Sequence, residues 1–301
     1  MNIFALDIGG TSIKYGLFEN EELVFRRETP TNASSGGEVL FETIVKLIKG
    51  NSADAIGIST AGQVNADSGE IIFATDTLPG WKGMKLKKRL EAMLSVPVAV
   101  ENDGNAAALG EAHYGNGKGY QNLVCLVYGT GIGGGLILGG ELYRGHTGSA
   151  GELGHIELEP GGRRCMCGGK GCYEAYASTS ALVSQIKQYV KADFEWDSFF
   201  AAVKAGSLPE ALIYKRWIEY VVAGLKSIIH ALNPACVLLG GGIMERHFII
   251  DDVNRMVKAT IMDSHRNVLI LPMKLGNSAG LYGAMYSAVR EYRKQKDFDI
   301  S

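Results

Sequence analysis

The sequence has no excess of basic residues. Lysine and arginine number 30 against 32 aspartates and glutamates, a formal net charge of −2, whereas a nucleic-acid footprint needs a clustered positive surplus. The one basic cluster, Lys82–Arg89 (KGMKLKKR), reads on a helix as a solvated face. Long apolar runs are missing as well. The longest such region, Val221–Ile243, is broken by Lys226, His230 and Asn233–Pro234, so no membrane span is expected. No secretory leader precedes the first strand, which starts at Asn2. Cysteine is scarce at five residues, and Cys125 and Cys236 sit in apolar runs as small buried hydrophobes. Reduced thiols with no leader and no span predict a cytoplasmic protein. A G-x-x-x-x-G-K-[ST] phosphate loop is also absent.

What the chain does have is glycine: 40 of 301 residues, about twice the average usage. The glycines gather at strand ends, in IGGT, YGTGIGGG, ILGGEL and LLGGGI, where they let a ligand approach the backbone. The length and the 46% hydrophobic content fit two ordinary domains. Strands are predicted at Asn2–Ile8, Ile13–Glu19, Glu22–Glu28, Ala55–Ser59 and Val96–Glu101, with helices at Val39–Lys49, Leu86–Leu94 and Asn105–Tyr114. The stretch Gly115–Gly119 (GNGKG) marks a boundary. Beyond it come strands at Leu123–Tyr128 and Gly135–Leu138, a long helical region from about Thr179 to Asn233, strands at Ala235–Leu239 and Val268–Pro272, and a helix at Ala279–Lys294. DIGGT and YGTGIGGG each join two apolar strands through a glycine turn that carries a threonine. That weak repeat predicts a duplicated α/β fold with a cleft between two domains, 1–115 plus about 281–301 and 116–280, closing around a ligand.

Three cysteines fall in one stretch, GELGHIELEPGGRRCMCGGKGC. His155, Cys165, Cys167 and Cys172 offer an imidazole and three thiolates, a closed tetrahedral set for Zn²⁺. The competing reading, a disulfide with a spare thiol, is weaker, because C-x-C closes a very small strained loop. Four protein ligands leave no open position, so such a zinc is structural, and it fixes the nearby carboxylate of Glu152.

Gly129–Gly134 matches G-x-G-x-x-G, but a dinucleotide fingerprint must open a helix, and here a second strand follows. The surviving reading is a hairpin whose backbone N–H groups and Thr130 hydroxyl face an anion. For one such turn a ligand-free hairpin would be favoured; two turns make a paired clamp on a polyphosphate the better reading. Asp7, beside the first turn, suits Mg²⁺ held through water. Lys14 reaches a phosphate or points to solvent. Asp103, at a strand end before a helix, either takes a proton from a hydroxyl that attacks a phosphoryl group or caps the helix. Asn102, with both donor and acceptor, suits a polyol.

These pieces in this order resemble the ROK family (repressors, open reading frames and kinases) of sugar kinases. The matching residues are Asp7-Ile-Gly-Gly-Thr11 with Lys14, Leu78-Pro-Gly-Trp81, Glu101-Asn102-Asp103, Gly129-Thr-Gly-Ile-Gly-Gly134, Gly151-Glu-Leu-Gly-His155, Cys165-Met-Cys-Gly-Gly-Lys-Gly-Cys172 with Glu174, and Leu239-Gly-Gly-Gly-Ile243. The resemblance implies a duplicated ribonuclease H-like, actin/hexokinase-like ATPase fold and transfer of the γ-phosphoryl group of ATP to the 6-hydroxyl of a hexose or N-acylhexosamine. It implies Asp103 as base, and Gly62, Asn102, Asp103, Glu152, His155 and Glu174 on the sugar. It implies Asp7, Gly9, Gly10, Thr11, Lys14, Gly129, Thr130, Gly131, Ile132, Gly133, Gly134, Gly240 and Gly241 at the nucleotide. His155, Cys165, Cys167 and Cys172 would hold zinc, and a homodimer is expected.

The sequence departs from the family at Ala61-Gly-Gln-Val64, where many members carry P-G-P-V or P-G-x-V, so Gln63 either extends into the sugar pocket or sits in a loop. Glucose is favoured by the G-E-x-G-H and Glu101–Glu111 wording, ahead of N-acetylmannosamine, N-acetylglucosamine, fructose and β-glucosides. A sugar-responsive repressor of the same family is disfavoured, because those carry a helix-turn-helix ahead of the first phosphate motif. A non-catalytic sugar-binding module would show decay of the phosphate turns or of Asp103, and all are intact.

Overall fold

The computed structural model describes residues 1–299. The first sheet is built from β1 (Asn2–Ile8), β2 (Ser12–Glu19), β3 (Glu22–Pro30), β4 (Ala55–Thr60) and β7 (Val98–Asn102); between β4 and β7 lies a hairpin, β5 (Gln63–Asn65) and β6 (Glu70–Phe73). Its order is β3-β2-β1-β4-β7, with β1–β2 and β2–β3 antiparallel and β1–β4 and β4–β7 parallel. The second sheet has β8 (Leu123–Tyr128), β9 (Ile132–Leu138), β10 (Glu141–Leu142), β11 (Cys236–Gly240) and β12 (Leu269–Pro272), in the order β10-β9-β8-β11-β12. Counted within each sheet, both run third, second, first, fourth, fifth. The duplication legible in the two glycine turns is therefore a duplication of whole sheets.

Helices α1 (Gly37–Lys49), α2 (Leu86–Leu94) and α3 (Asp103–Tyr114) belong to the first half. They are followed by α4 (Glu174–Ala177), α5 (Thr179–Tyr189), α6 (Trp196–Lys204), α7 (Glu210–Leu232), α8 (His247–Thr260) and α9 (Ala279–Asp299). The long helical region expected from Thr179 to Asn233 is three helices. The turn at Lys191-Ala-Asp193 and the run Gly206-Ser-Leu-Pro209 interrupt it. Helix α3 starts two residues earlier than expected, because Asn102 takes the cap. Among the described residues no helix is long and apolar enough to cross a membrane.

Strand alternation sets the core of the first unit. Side chains on a strand point to opposite faces with a period of two. Phe4, Leu6 and Ile8 of β1 pack in one cluster with Leu40, Phe41, Ile44 and Ile48 of α1, whose spacing lines one helix face. Ile3 and Ala5 pack in another with Leu281, Ala284 and Met285 of α9. By the same alternation Asp7 belongs to the α9 face. Strand β4 is buried throughout, as expected of a parallel strand covered on both sides.

The chain divides into two compact units. One comprises Met1–Gly119, Gly135–Gly151 and the stretch from Asn277 on; the other comprises Tyr120–Gly134 and Glu152–Gly276. In the first, α3 and α9 meet at backbone distance. A Cβ on Gly283 would overlap the Ala106 carbonyl, and one on Gly110 would overlap the carbonyl of Ala279. This small-residue contact explains why α3 is buried from Gly104 to Glu111 without an amphipathic pattern. Gly283→Ala should therefore destabilise the protein by about 1–3 kcal/mol, the usual cost of overpacking. A lowered urea midpoint at unchanged secondary structure is the expected result, with Ser287→Ala on the same helix as the near-neutral control.

Candidate active site

Asp7 is the next-to-last residue of β1 in the first unit. Its Oδ1 accepts from the Ser59 hydroxyl at 2.7 Å, and its Oδ2 faces the Lys14 ammonium at 3.5 Å. Lys14 is the residue opposite Asp7 on β2, so it is turned to this carboxylate. The first turn of α9 lies against it too: a Cβ on Gly280 would come 2.7 Å from Asp7 Oδ1. Helix N-termini favour negative charge. Beyond Asp7 the glycine turn closes through the Gly9 N–H to the Ser12 carbonyl at 2.9 Å. Thr31 braces it, donating its hydroxyl to the Gly9 carbonyl and its N–H to that of Thr11.

The Glu101-Asn102-Asp103 turn joins β7 to α3. Asn102 accepts from the Asn105 N–H at 3.0 Å and so caps the helix. Its amide nitrogen donates to the Gly62 carbonyl and to Asp103 Oδ1, both at 2.9 Å. Gly62, Asn102 and Asp103 are thus brought together, with Asp103 exposed at the first helical position. Gln63 pairs with Phe73 in the β5–β6 hairpin. Beneath the turn Glu101 is 2% exposed and pairs with Arg144 at 2.6 Å; its other oxygen accepts from the Asn102 N–H and the Asn105 amide.

In the second unit the turn Gly129–Gly131 closes through the Gly129 N–H to the Gly131 carbonyl at 2.9 Å. Ser178 caps α5. The first residues of that helix lie against the turn: Thr179 donates its hydroxyl to the Tyr128 carbonyl and Ser180 its N–H to that of Gly129. A cavity of about 840 Å³ opens here, lined by Thr130, Ser180, Lys187, Trp196, Gly242 and Arg246 among others. Gly241, just past the end of β11, has φ +95° and lies against the Tyr128 carbonyl. No side chain fits there. Gly240 faces Met273 instead.

The metal loop belongs to the same unit. The ligand atoms of His155, Cys165, Cys167 and Cys172 all lie within 4.8 Å of one another. Cys165 Sγ is 3.6 Å from His155 Nδ1, and Cys167 Sγ is 3.6 Å from Cys172 Sγ. Ligands about 2.3 Å from a tetrahedral zinc stand roughly 3.8 Å apart, so the donor set fits that ion. Burial pushes the Cys165 and Cys172 thiols up, while the Gly169 N–H holds Cys167 down. His155 turns Nδ1 toward the cysteines and Nε2 toward Glu152, 3.8 Å away. Glu174 completes the group, with Oε1 3.6 Å from His155 Nδ1.

A profile of the ROK family matches residues 3–291. The chain is 34% identical over 302 residues to a glucokinase of Streptomyces coelicolor, covering 93% of this chain and 95% of that one. It is 31% identical over 304 residues to a β-glucoside kinase of Listeria monocytogenes, covering 98% and 100%. A crystal structure of a ROK glucokinase from Streptomyces griseus with glucose and AMPPNP superposes with a TM-score of 0.82 at 29% identity, covering 96% and 100%. The chain belongs to the ROK family. Its fold is the two-domain, actin/hexokinase-like ATPase fold of those kinases.

Several residues of this ROK protein escape a reading of motifs. Ser59 holds Asp7, Gly280 lets α9 approach it, and Arg144 holds Glu101. Lys187, Trp196 and Arg246 line the cavity beside the Gly129 turn. Only Gly280 left a trace, in the small-residue run Ser278-Ala-Gly; a lone arginine or serine has none. Arg144→Met would leave the Glu101 carboxylate buried without its counter-charge. Because Arg144 is itself 38% exposed, the expected loss is at the low end of the range for such pairs, about 3 kcal/mol. Adding Glu101→Gln should recover part of it, measured as a double-mutant cycle in urea.

Proposed function

We propose that this ROK protein transfers the γ-phosphoryl group of ATP to the 6-hydroxyl of a hexose, with glucose ahead of N-acetylmannosamine, N-acetylglucosamine, fructose and β-glucosides. As a member of this family it is an ATP-dependent phosphotransferase, a sugar kinase. The observation that carries the reading is the division of labour in the Glu101-Asn102-Asp103 turn. Asn102 is the cap of α3, and it orients Asp103, whose Oδ1 also accepts from the Gly104 N–H, through a 2.9 Å hydrogen bond. Asp103 then accepts the proton of the sugar hydroxyl as that oxygen attacks phosphorus and the bond to the β-phosphate oxygen breaks. In such transfers orienting the nucleophile matters as much as removing its proton.

The remaining roles follow the chemistry of each group. The Gly62 backbone, Asn102, Glu152, the Nε2 side of His155 and Glu174 offer donors and acceptors to the sugar hydroxyls. The turns Gly9–Thr11 and Gly129–Gly134 offer backbone N–H groups and hydroxyls to the phosphates, and Lys14 adds a cation beside the first. The cavity next to Gly240 and Gly241 takes the adenosine. Asp7, held by Ser59 and Lys14, suits Mg²⁺, which when bound neutralises charge on the phosphates. His155, Cys165, Cys167 and Cys172 hold zinc, which with four protein ligands keeps the loop in shape and leaves no position for catalysis. Reduced thiols of this kind fit a cytoplasmic enzyme. The case for glucose rests on the Gly151–His155 wording and on the glucokinase relatives.

ADP release from ATP across a panel of these sugars tests the assignment; turnover with none of them would overturn it. Asp103→Asn should lower kcat by roughly 10²–10⁴-fold while both substrates still bind. Its stability should change by under about 1 kcal/mol, the worth of one charge at a helix N-terminus, because the cap is elsewhere. A near-normal kcat would remove Asp103 as base. Metal analysis should find one zinc per chain, and Cys172→Ser should lose it and raise the KM for sugar.

A further inference from the structure

We propose that Glu174 is a positioning residue for the glycine hairpin: one of its carboxylate oxygens latches the turn that receives the phosphates of ATP. This rests on the reading of Gly129–Gly134 as a phosphate site, and it gives Glu174 a task beyond the sugar.

The two oxygens of Glu174 face different partners. Oε1 lies with the metal loop, 3.0 Å from Cys165 Sγ. Oε2 accepts from the Ile132 N–H at 3.2 Å, at the point where the turn enters β9. Gly131 lies against the same oxygen, and a Cβ there would overlap it. The carboxylate is 14% exposed, so water competes poorly for the contact.

The backbone that carries Glu174 is tied to the hairpin one residue earlier. Tyr173 and Tyr128 are fully buried. Their hydroxyls meet at 2.6 Å, and Tyr173 donates onward to the Val221 carbonyl at 2.8 Å. Tyr128 immediately precedes Gly129 and Tyr173 immediately precedes Glu174. The phenol pair thus fixes the spacing, and Glu174 Oε2 spans it.

The hairpin needs such a brace. Gly129 and Gly133 have nothing within 4 Å of where a Cβ would stand, and glycine loses more freedom on ordering than any other residue. A turn already held in its binding shape spends less of the phosphate contacts on ordering itself. Charge alone gives the opposite sign, because a carboxylate beside phosphates repels them. Any benefit of Glu174 to nucleotide binding therefore comes from position, and the sign of the effect separates the two.

The test is ATP·Mg²⁺ binding to the whole protein by calorimetry without sugar, where a residue that only contacts sugar has no influence. If removing the brace leaves the hairpin in its binding shape about a tenth of the time, Kd rises about tenfold. Glu174→Ala should show that rise with its zinc retained, and Glu174→Gln, which keeps an acceptor for the Ile132 N–H, should stay within about twofold of the wild type. Gly131→Ala, which drives the carboxylate off, should weaken binding by itself and add little in the Glu174→Ala background. Hydrogen exchange of the ligand-free protein should quicken across 129–134 in Glu174→Ala and not in Glu174→Gln. An unchanged Kd and unchanged exchange in Glu174→Ala overturn the latch, and so does a loss of affinity that tracks loss of zinc. A wild type that does not bind ATP overturns the reading of the hairpin instead, and the exchange measurement still decides whether Glu174 holds it.

Discussion

A carboxylate drawn into a protein stays charged only when N–H groups, hydroxyls or cations surround it. Three carboxylates have partners of this kind, two in the first unit and one in the second. Asp7 has Ser59, Lys14 and the first turn of α9. Glu101 has Arg144, its neighbour's N–H and the Asn105 amide. Glu174 has the Ile132 N–H. Each stands where a strand or loop gives way to a turn, and satisfying it fixes that turn. Of the three only Glu101 is fully buried; it lies beneath the exposed Asp103 and holds the turn that carries it.

Glu101 shows how this works. Its charge is the reason Arg144, far off in sequence, must be present; its second oxygen holds the backbone of Asn102 and the side chain of Asn105. Asn102 is then placed to cap α3, reach Gly62 and orient Asp103 in one geometry. The motif Glu-Asn-Asp is one residue that anchors, one that orients and one that faces solvent.

The metal loop and the glycine hairpin of the second unit share a similar economy. Tyr128 and Tyr173 pin the two segments together in the core, and Glu174 contacts both at the surface. The proposed zinc on His155, Cys165, Cys167 and Cys172 would stiffen this glycine-rich loop and with it the imidazole whose Nδ1 faces the thiols.

Much of this was legible in the sequence, because it is carried by local signals. Alternation in Asn2–Ile8, helical spacing in α1, the C-x-C-x4-C array after His155 and the paired glycine–threonine turns each depend on neighbours within a few residues, and each appears in the structure. Other features depend on what folds against what. Sequence left Asp103 balanced between capping and chemistry; the structure gives the cap to Asn102 because that side chain reaches the Asn105 N–H. Lys14 was open between phosphate and solvent, and strand register sets it opposite Asp7. The partners Arg144, Ser59 and Gly280 come from segments separated by tens to hundreds of residues, brought together by sheet order and by α9 returning to β1. No local pattern encodes such a meeting, since its energy comes from burial of charge and close backbone packing that exist only once the chain has folded.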